Sequence, residues 1–155
     1  MKNAVYYSIK GSEEKPSGVN DKIKAIARSI AAGANTSSYP IGKHTLVSDV
    51  NILFVGCDVG INGKLSRSVR GVLKELFPNE VNLVVLFTVS KSDETSSLPE
   101  AKSILAPLNV PVYNEEYICL KSSGGKRKGA PPEDELQKAK QFAADIAKKH
   151  KTVIC

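Results

Sequence analysis

The sequence has no tryptophan, two histidines and three cysteines, and no apolar run that approaches the roughly 20 residues a membrane-crossing helix needs. Each shortage removes a class of function. Cys57, Cys119 and Cys155 are odd in number, widely spaced and without a CxxC pair or a Cys/His cluster. Neither a disulfide framework nor a zinc site is therefore expected, and reduced cytosolic thiols are the plain reading. The opening Met1-Lys2-Asn3-Ala4-Val5-Tyr6-Tyr7 is too short and too polar for a secretory signal, so a cytoplasmic chain without membrane insertion is expected. His44 and His150 fall in a loop and at the end of the last helix, which suits surface residues better than a general base. There is no GxSxG elbow, no GxxxxGK[ST] loop, no GxGxxG and no defensible carboxylate pair. No catalytic set is expected, and no metal site.

Charge is plentiful and unbalanced. Net charge is +6, with an isoelectric point near 9.2. A basic balance of that size raises nucleic-acid binding, but the basic residues are spread over several segments. The only run, Lys126-Arg127-Lys128, lies in a Gly/Ser/Pro-rich stretch with no aromatic residue beside it to stack a base. A solvated loop is the reading adopted, and no nucleic-acid partner is expected.

What the chain does contain is a regular alternation of strand and helix patterns. Ala4-Val5-Tyr6-Tyr7-Ser8 is β-rich. Ile23, Ile26, Ala27 and Ile30 recur at helical spacing, with Gly33 as the natural stop. Residues 37–41 give a weak second strand, and residues 42–49 leave room for a short helix. Asn51-Ile52-Leu53-Phe54-Val55-Gly56 is apolar throughout, the mark of a strand covered on both faces. Leu65, Val69, Val72, Leu73 and Leu76 make the next helix, closed by Pro78. Residues 81–89 (VNLVVLFTV) are the strongest buried-strand signal. Leu98, Ala101, Ile104 and Leu105 give a short helix before Pro107, residues 110–120 a last strand, and residues 136–147 a last helix. Acidic residues at 133–135 suit that helix's amino end. Five apolar strands alternating with about four helices predict one α/β domain over residues 1–155: a doubly wound, three-layer parallel sheet.

In such sheets ligands sit beyond the carboxyl ends of the strands, where strand order reverses. Four connections are then of interest. The first carries Pro16-Ser17-Gly18-Val19-Asn20 ahead of a helix. Backbone N–H groups, the Ser17 and Asn20 side chains and the helix dipole there suit a phosphate monoester; Ser17 and Asn20 serve equally well as ordinary helix caps. The second, Gly56-Cys57-Asp58-Val59-Gly60-Ile61-Asn62-Gly63-Lys64, has three glycines that allow close approach to a flat ligand or simply a turn. The third, Thr88-Val89-Ser90-Lys91-Ser92, can offer donors to a polar ring edge or lie in solvent. The fourth holds Gly124, Gly125 and Gly129 around the basic triplet. Cys57 is read as a buried inert thiol.

With these residues in view, the chain resembles the short-chain flavodoxins over nearly its whole length. Ala4-Val5-Tyr6-Tyr7-Ser8 resembles their first strand. Ser17-Gly18-Val19-Asn20-Asp21-Lys22-Ile23 is similar to the family's T-G-N-T and first helix. Asp49-Val50-Asn51-Ile52-Leu53-Phe54-Val55-Gly56 resembles their third strand, and Pro131-Pro132-Glu133-Asp134 the start of their last helix. The resemblance implies a five-stranded sheet ordered 2-1-3-4-5 and flavin mononucleotide as cofactor. Ser17, Gly18, Val19 and Asn20 would hold the phosphate, with Ser8 beside them. Cys57, Asp58, Val59 and Gly60, and Thr88, Val89 and Ser90, would flank the ring. Electron transfer with redox partner proteins is the implied role, and some members of the family reduce quinones.

The chain also departs from the family. Residues 9–15 (IKGSEEK) read as an insertion, Asn20 stands for a threonine, and Gly60 stands where an aromatic residue often stacks on the ring. These departures motivate an alternative, a cofactor-free domain acting as a binding module. A second alternative is a phosphoacceptor receiver, because Asp58, Thr88 and Lys121 fall near strand ends. Its first strand, however, would need an acidic pair for magnesium and instead ends Tyr6-Tyr7-Ser8.

Overall fold

A computed structural model describes residues 2–8, 18–41, 47–57, 67–90, 97–113, 115, 117–120 and 133–150, with backbone alone for 18–22, 67–68, 89–90, 97–98, 118–120 and 133. The elements run β1 (Lys2–Tyr7), α1 (Gly18–Gly33), β2 (Ser38–Pro40), β3 (Val50–Cys57), α2 (Arg67–Lys74), β4 (Val81–Ser90), α3 (Ser97–Leu105), β5 (Tyr117–Leu120) and α4 (Glu133–Lys149). A 3-10 turn, Ala106–Leu108, follows α3. No helix among the described residues is long and apolar enough to cross a membrane.

All pairings are parallel, in the order β2-β1-β3-β4-β5. The body of the sheet is the four strands ordered 2-1-3-4; β5 adds four residues against the last part of β4. Residues 110–120 were expected to form one strand and do not. Pro111 lacks the N–H a ladder needs, and among its described residues the segment pairs with β4 at the isolated bridge Val84↔Val112 before β5 begins at Tyr117.

Every residue of β3 is buried. Side chains alternate between two cores. Leu53, Val55 and Cys57 point with Val84 and Leu86 toward Val69, Leu73, Ala101 and Leu105 of α2 and α3. Ile52 and Phe54 point with Val5, Tyr7, Val85 and Phe87 toward Ile23, Ile26, Ile30, Ala139 and Ala143 of α1 and α4. This is the strand period of two meeting helix faces on both sides.

The end of α1 corrects one expectation. Gly33 is still helical, and it is Asn35 that takes the left-handed conformation, at φ 57°. The Thr36 N–H reaches the Ala31 oxygen at 2.8 Å and the Asn35 N–H the Ala32 oxygen at 3.3 Å, the two bonds of a Schellman ending. The Thr36 hydroxyl then donates to the Asn3 oxygen, and Asn3 Nδ2 to the Ala34 oxygen, tying the helix end to β1. Gly33 is needed for packing instead: a Cβ there would fall on the Lys140 carbonyl oxygen of α4. At the far end of α4, Asn51 Nδ2 donates to the His150 oxygen at 2.7 Å, and Asn82 Nδ2 donates to Asn51 Oδ1. The expected helix in 42–49 lies partly outside the described residues; Val47 and Ser48 are not helical.

Gly33→Ala should lower unfolding stability by about 1–3 kcal/mol, because backbone must move to admit the methyl group. Urea denaturation measures this, and a variant as stable as the native protein would place α1 and α4 farther apart than described.

Candidate functional site

Helix α1 follows β1 onto one face of the sheet, and α2 follows β3 onto the other. The order reversal therefore falls between β1 and β3, and the place where such sheets bind ligands corresponds to the strand ends at Tyr7 and Cys57. Register brings the strand ends level there: Tyr7↔Gly56, Gly56↔Phe87 and Phe87↔Tyr117 form one row, and Cys57↔Thr88 the next. The Ser8 N–H donates to the Gly56 oxygen at 3.0 Å, which places Ser8 beside Cys57 in that second row.

The rows differ in chemistry because alternate residues face opposite ways. Tyr7, Phe87 and Tyr117 face α1 and α4, where the Tyr117 hydroxyl reaches Glu135 Oε1 at 2.6 Å in the first turn of α4. Gly56 was expected to let a ligand approach. Its missing side chain instead makes room for protein: a Cβ would stand 2.7 Å from the Phe87 ring and 2.9 Å from Tyr7 Cβ. Ser8, Cys57 and Thr88 make the polar row, and all three are fully buried.

Two boundaries also change. Cys57 is the last residue of β3 and Ser90 the last of β4, each one residue past the strand end the apolar runs marked. Edge-strand pairing with β5 extends β4 beyond the apolar run. The Thr88 hydroxyl, expected at a ring edge, donates to the Cys57 carbonyl at 2.7 Å. Cys57 is buried and in no disulfide, and its Sγ lies 3.8 Å from the Val55 oxygen.

Gly18, Val19 and Asn20 form the first turn of α1, so their N–H groups are among those a helix cannot satisfy internally. Ser17, Asp58, Val59 and Gly60 lie outside the described residues, as does Lys121. His150 is exposed at the end of α4 and stacks edge-on with Tyr113 at 5.6 Å; His44 lies outside the described residues. Among the described residues there is no cluster of three His, Cys, Asp or Glu side chains that could hold a metal. Two cavities lie away from this edge. One, of about 270 Å³, sits between Val47, Val72, Leu76 and Phe77 at the opposite end of β3 and β4. The other, of about 330 Å³, lies between Lys102, Ala106 and Tyr113. Neither coincides with the crevice that strand order defines.

What sequence reasoning missed is the partner of Thr88. The available signal was a hydroxyl residue closing an apolar strand level with the end of the neighbouring one.

No protein-family model matches the chain, and no curated protein matches it significantly. Solved structures do. Flavodoxin 1 of Bacillus cereus superposes with a TM-score of 0.69 at 13% identity, covering 98% of this chain and 100% of its own. An archaeal flavodoxin gives 0.62 at 15% identity, covering 97% and 99%. A Fusobacterium nucleatum flavodoxin solved with flavin mononucleotide bound gives 0.62 at 9% identity, covering 97% and 99%. The architecture is thus a doubly wound α/β domain whose strand order reverses between β1 and β3. More narrowly, the chain has the flavodoxin fold.

Gly56→Ala should destabilise the protein by about 1–3 kcal/mol through the Phe87 ring. Adding Phe87→Leu should return part of that loss, which a double-mutant cycle in urea measures. Strict additivity would mean the two positions are not in contact.

Proposed function

We propose that the chain binds flavin mononucleotide and works as a flavodoxin-type redox protein. The carrying observation is the start of α1. A helix that runs Gly18–Gly33 begins on the connection that leaves β1, beside the strand-order reversal. The fold's likeness to flavodoxins, one of them solved with this cofactor, supports the same reading.

The donors suit the group. A phosphate monoester needs several N–H donors and no carboxylate at contact, and first-turn amides plus a helix dipole supply that without a charged side chain. Gly18, Val19 and Asn20 would hold the phosphate through backbone N–H groups, with Ser17 adding a hydroxyl. The connections leaving β3, through Asp58, Val59 and Gly60, and β4, beyond Ser90, would flank the ring. Ser8, Cys57 and Thr88 would form the floor rather than contact it, since all three are buried. Bound flavin supplies electron-transfer chemistry that no side chain here provides. The partners would be redox proteins, and a net charge of +6 favours ones with acidic docking faces.

A cofactor-free binding module is the second reading, and the observation favouring it is the same closed-off row of Ser8, Cys57 and Thr88. A receiver reading has less support: β1 ends without a carboxylate and the Thr88 hydroxyl is engaged by Cys57.

Titrating the purified protein with flavin mononucleotide separates the two main readings. Micromolar or tighter binding, with changed flavin absorbance and quenched fluorescence, is expected; no uptake by a folded protein would leave the binding module. Gly18→Asp should weaken binding about tenfold or more by setting a carboxylate against the phosphate. The helix should persist, because an acidic residue suits its first turn.

A further inference from the structure

We propose that the apolar groove at the amino edge of the sheet is a docking site for residues 151–155 of the same chain, with Val153 and Ile154 set against Phe77. Those five residues follow His150 and lie outside the described residues. The groove is at the edge opposite the candidate ligand site, and its occupant does not depend on the flavin reading.

Between α2 and β4 the chain passes through Phe77 and Pro78. Val72 and Leu76 are buried there, and with Val47 they floor a cavity of about 270 Å³. Phe77 stands at its mouth and is 61% exposed, one of two large apolar side chains so exposed among the described residues. An aromatic ring left in water beside an apolar hollow gains by being covered. The walls of the hollow are acidic. Glu75 and Glu80 line it, and Glu80 Oε2 accepts the Asp49 N–H at 2.8 Å. Neither carboxylate has a cation within ion-pair distance among the described residues. On a chain of net charge +6, an acid-rimmed apolar groove suits a segment that is basic and apolar together.

Residues 151–155, Lys-Thr-Val-Ile-Cys, have that composition, and the structure fixes where they begin. The His150 carbonyl is held by Asn51 Nδ2 at 2.7 Å, and Asn51 Oδ1 is held in turn by Asn82. Asn51 follows Val50, whose N–H donates 2.8 Å to the Glu80 carbonyl. The segment therefore starts one strand residue from the wall of the groove. It has to pass round the amino edge of the sheet, from the α4 face to the α2 face. The four residues from Lys151 to Ile154 reach up to roughly 13 Å, enough for that passage. A tether this short gives an effective concentration on the order of millimolar, so a small contact suffices to keep the groove filled.

The absence of tryptophan makes the test direct, because Phe77→Trp introduces a single emitter at the mouth of the groove. In that background Val153→Asp and Ile154→Asp should each shift the emission to the red and raise acrylamide quenching about twofold, as apolar surface returns to water. Lys151→Glu should act in the same direction and more weakly. Thr152→Ser should change nothing. Ser48→Cys, on the groove wall, gives a second readout: mild oxidation should join the new thiol to Cys155 within one molecule, about tenfold more slowly when Ile154→Asp is added. If Phe77→Trp does not fold, the disulfide decides alone. Emission indifferent to residues 153 and 154 would overturn the proposal. So would cross-linking that appears only between molecules and grows with protein concentration, since the occupant would then be a second copy.

Discussion

Strand β3 is buried along its whole length, and that constraint organises the molecule. A buried backbone must find all its hydrogen-bond partners inside the protein. Strands on both sides supply them, β1 on one flank and β4 on the other. Side chains that alternate up and down from a strand with no wet face need an apolar cover above and below. Helices α1 and α4 provide one cover, and α2 and α3 the other. Parallel strands need long crossovers, which is where those helices come from.

The same constraint makes the carboxyl edge a chemically divided place. On the α1–α4 side the last full row is aromatic, Tyr7, Phe87 and Tyr117, closed up over a glycine. On the α2–α3 side the next row is polar, Ser8, Cys57 and Thr88, with the Ser8 N–H on the Gly56 carbonyl and the Thr88 hydroxyl on that of Cys57. A scaffold of that kind suits a ligand that brings its own reactivity and asks the protein for position and electrostatics. The flavodoxin fold and the placement of the first turn of α1 agree with that division of labour.

Much of this was legible beforehand because it depends on periodicity. The apolar run from Asn51 to Gly56 and the nine residues 81–89 gave both central strands, and the 3.6-residue spacing of Ile23, Ile26 and Ile30 gave α1. Local conformational choices were harder. Gly33 looked like a helix stop, yet Asn35 takes the left-handed turn, because close packing on Lys140 claims the glycine first. The run 110–120 looked like a single strand, yet Pro111 and the reach of β4 divide it. At the edge, Ser90 fell beyond the apolar run 81–89, yet pairing with Leu120 of β5 keeps it in the sheet.

By itself the sequence determined the class of fold and the identity and order of its main elements; the first helix begins at Gly18, earlier than the apolar spacing marked it. The class and the element order follow from local apolar spacing, which any segment carries within a few turns of chain. Only the tertiary structure decided which side chains meet at the carboxyl edge. Gly56 serves Phe87, and Thr88 serves Cys57, through contacts between residues about thirty positions apart. Register between separate strands sets such contacts, and no local pattern encodes register across a crossover.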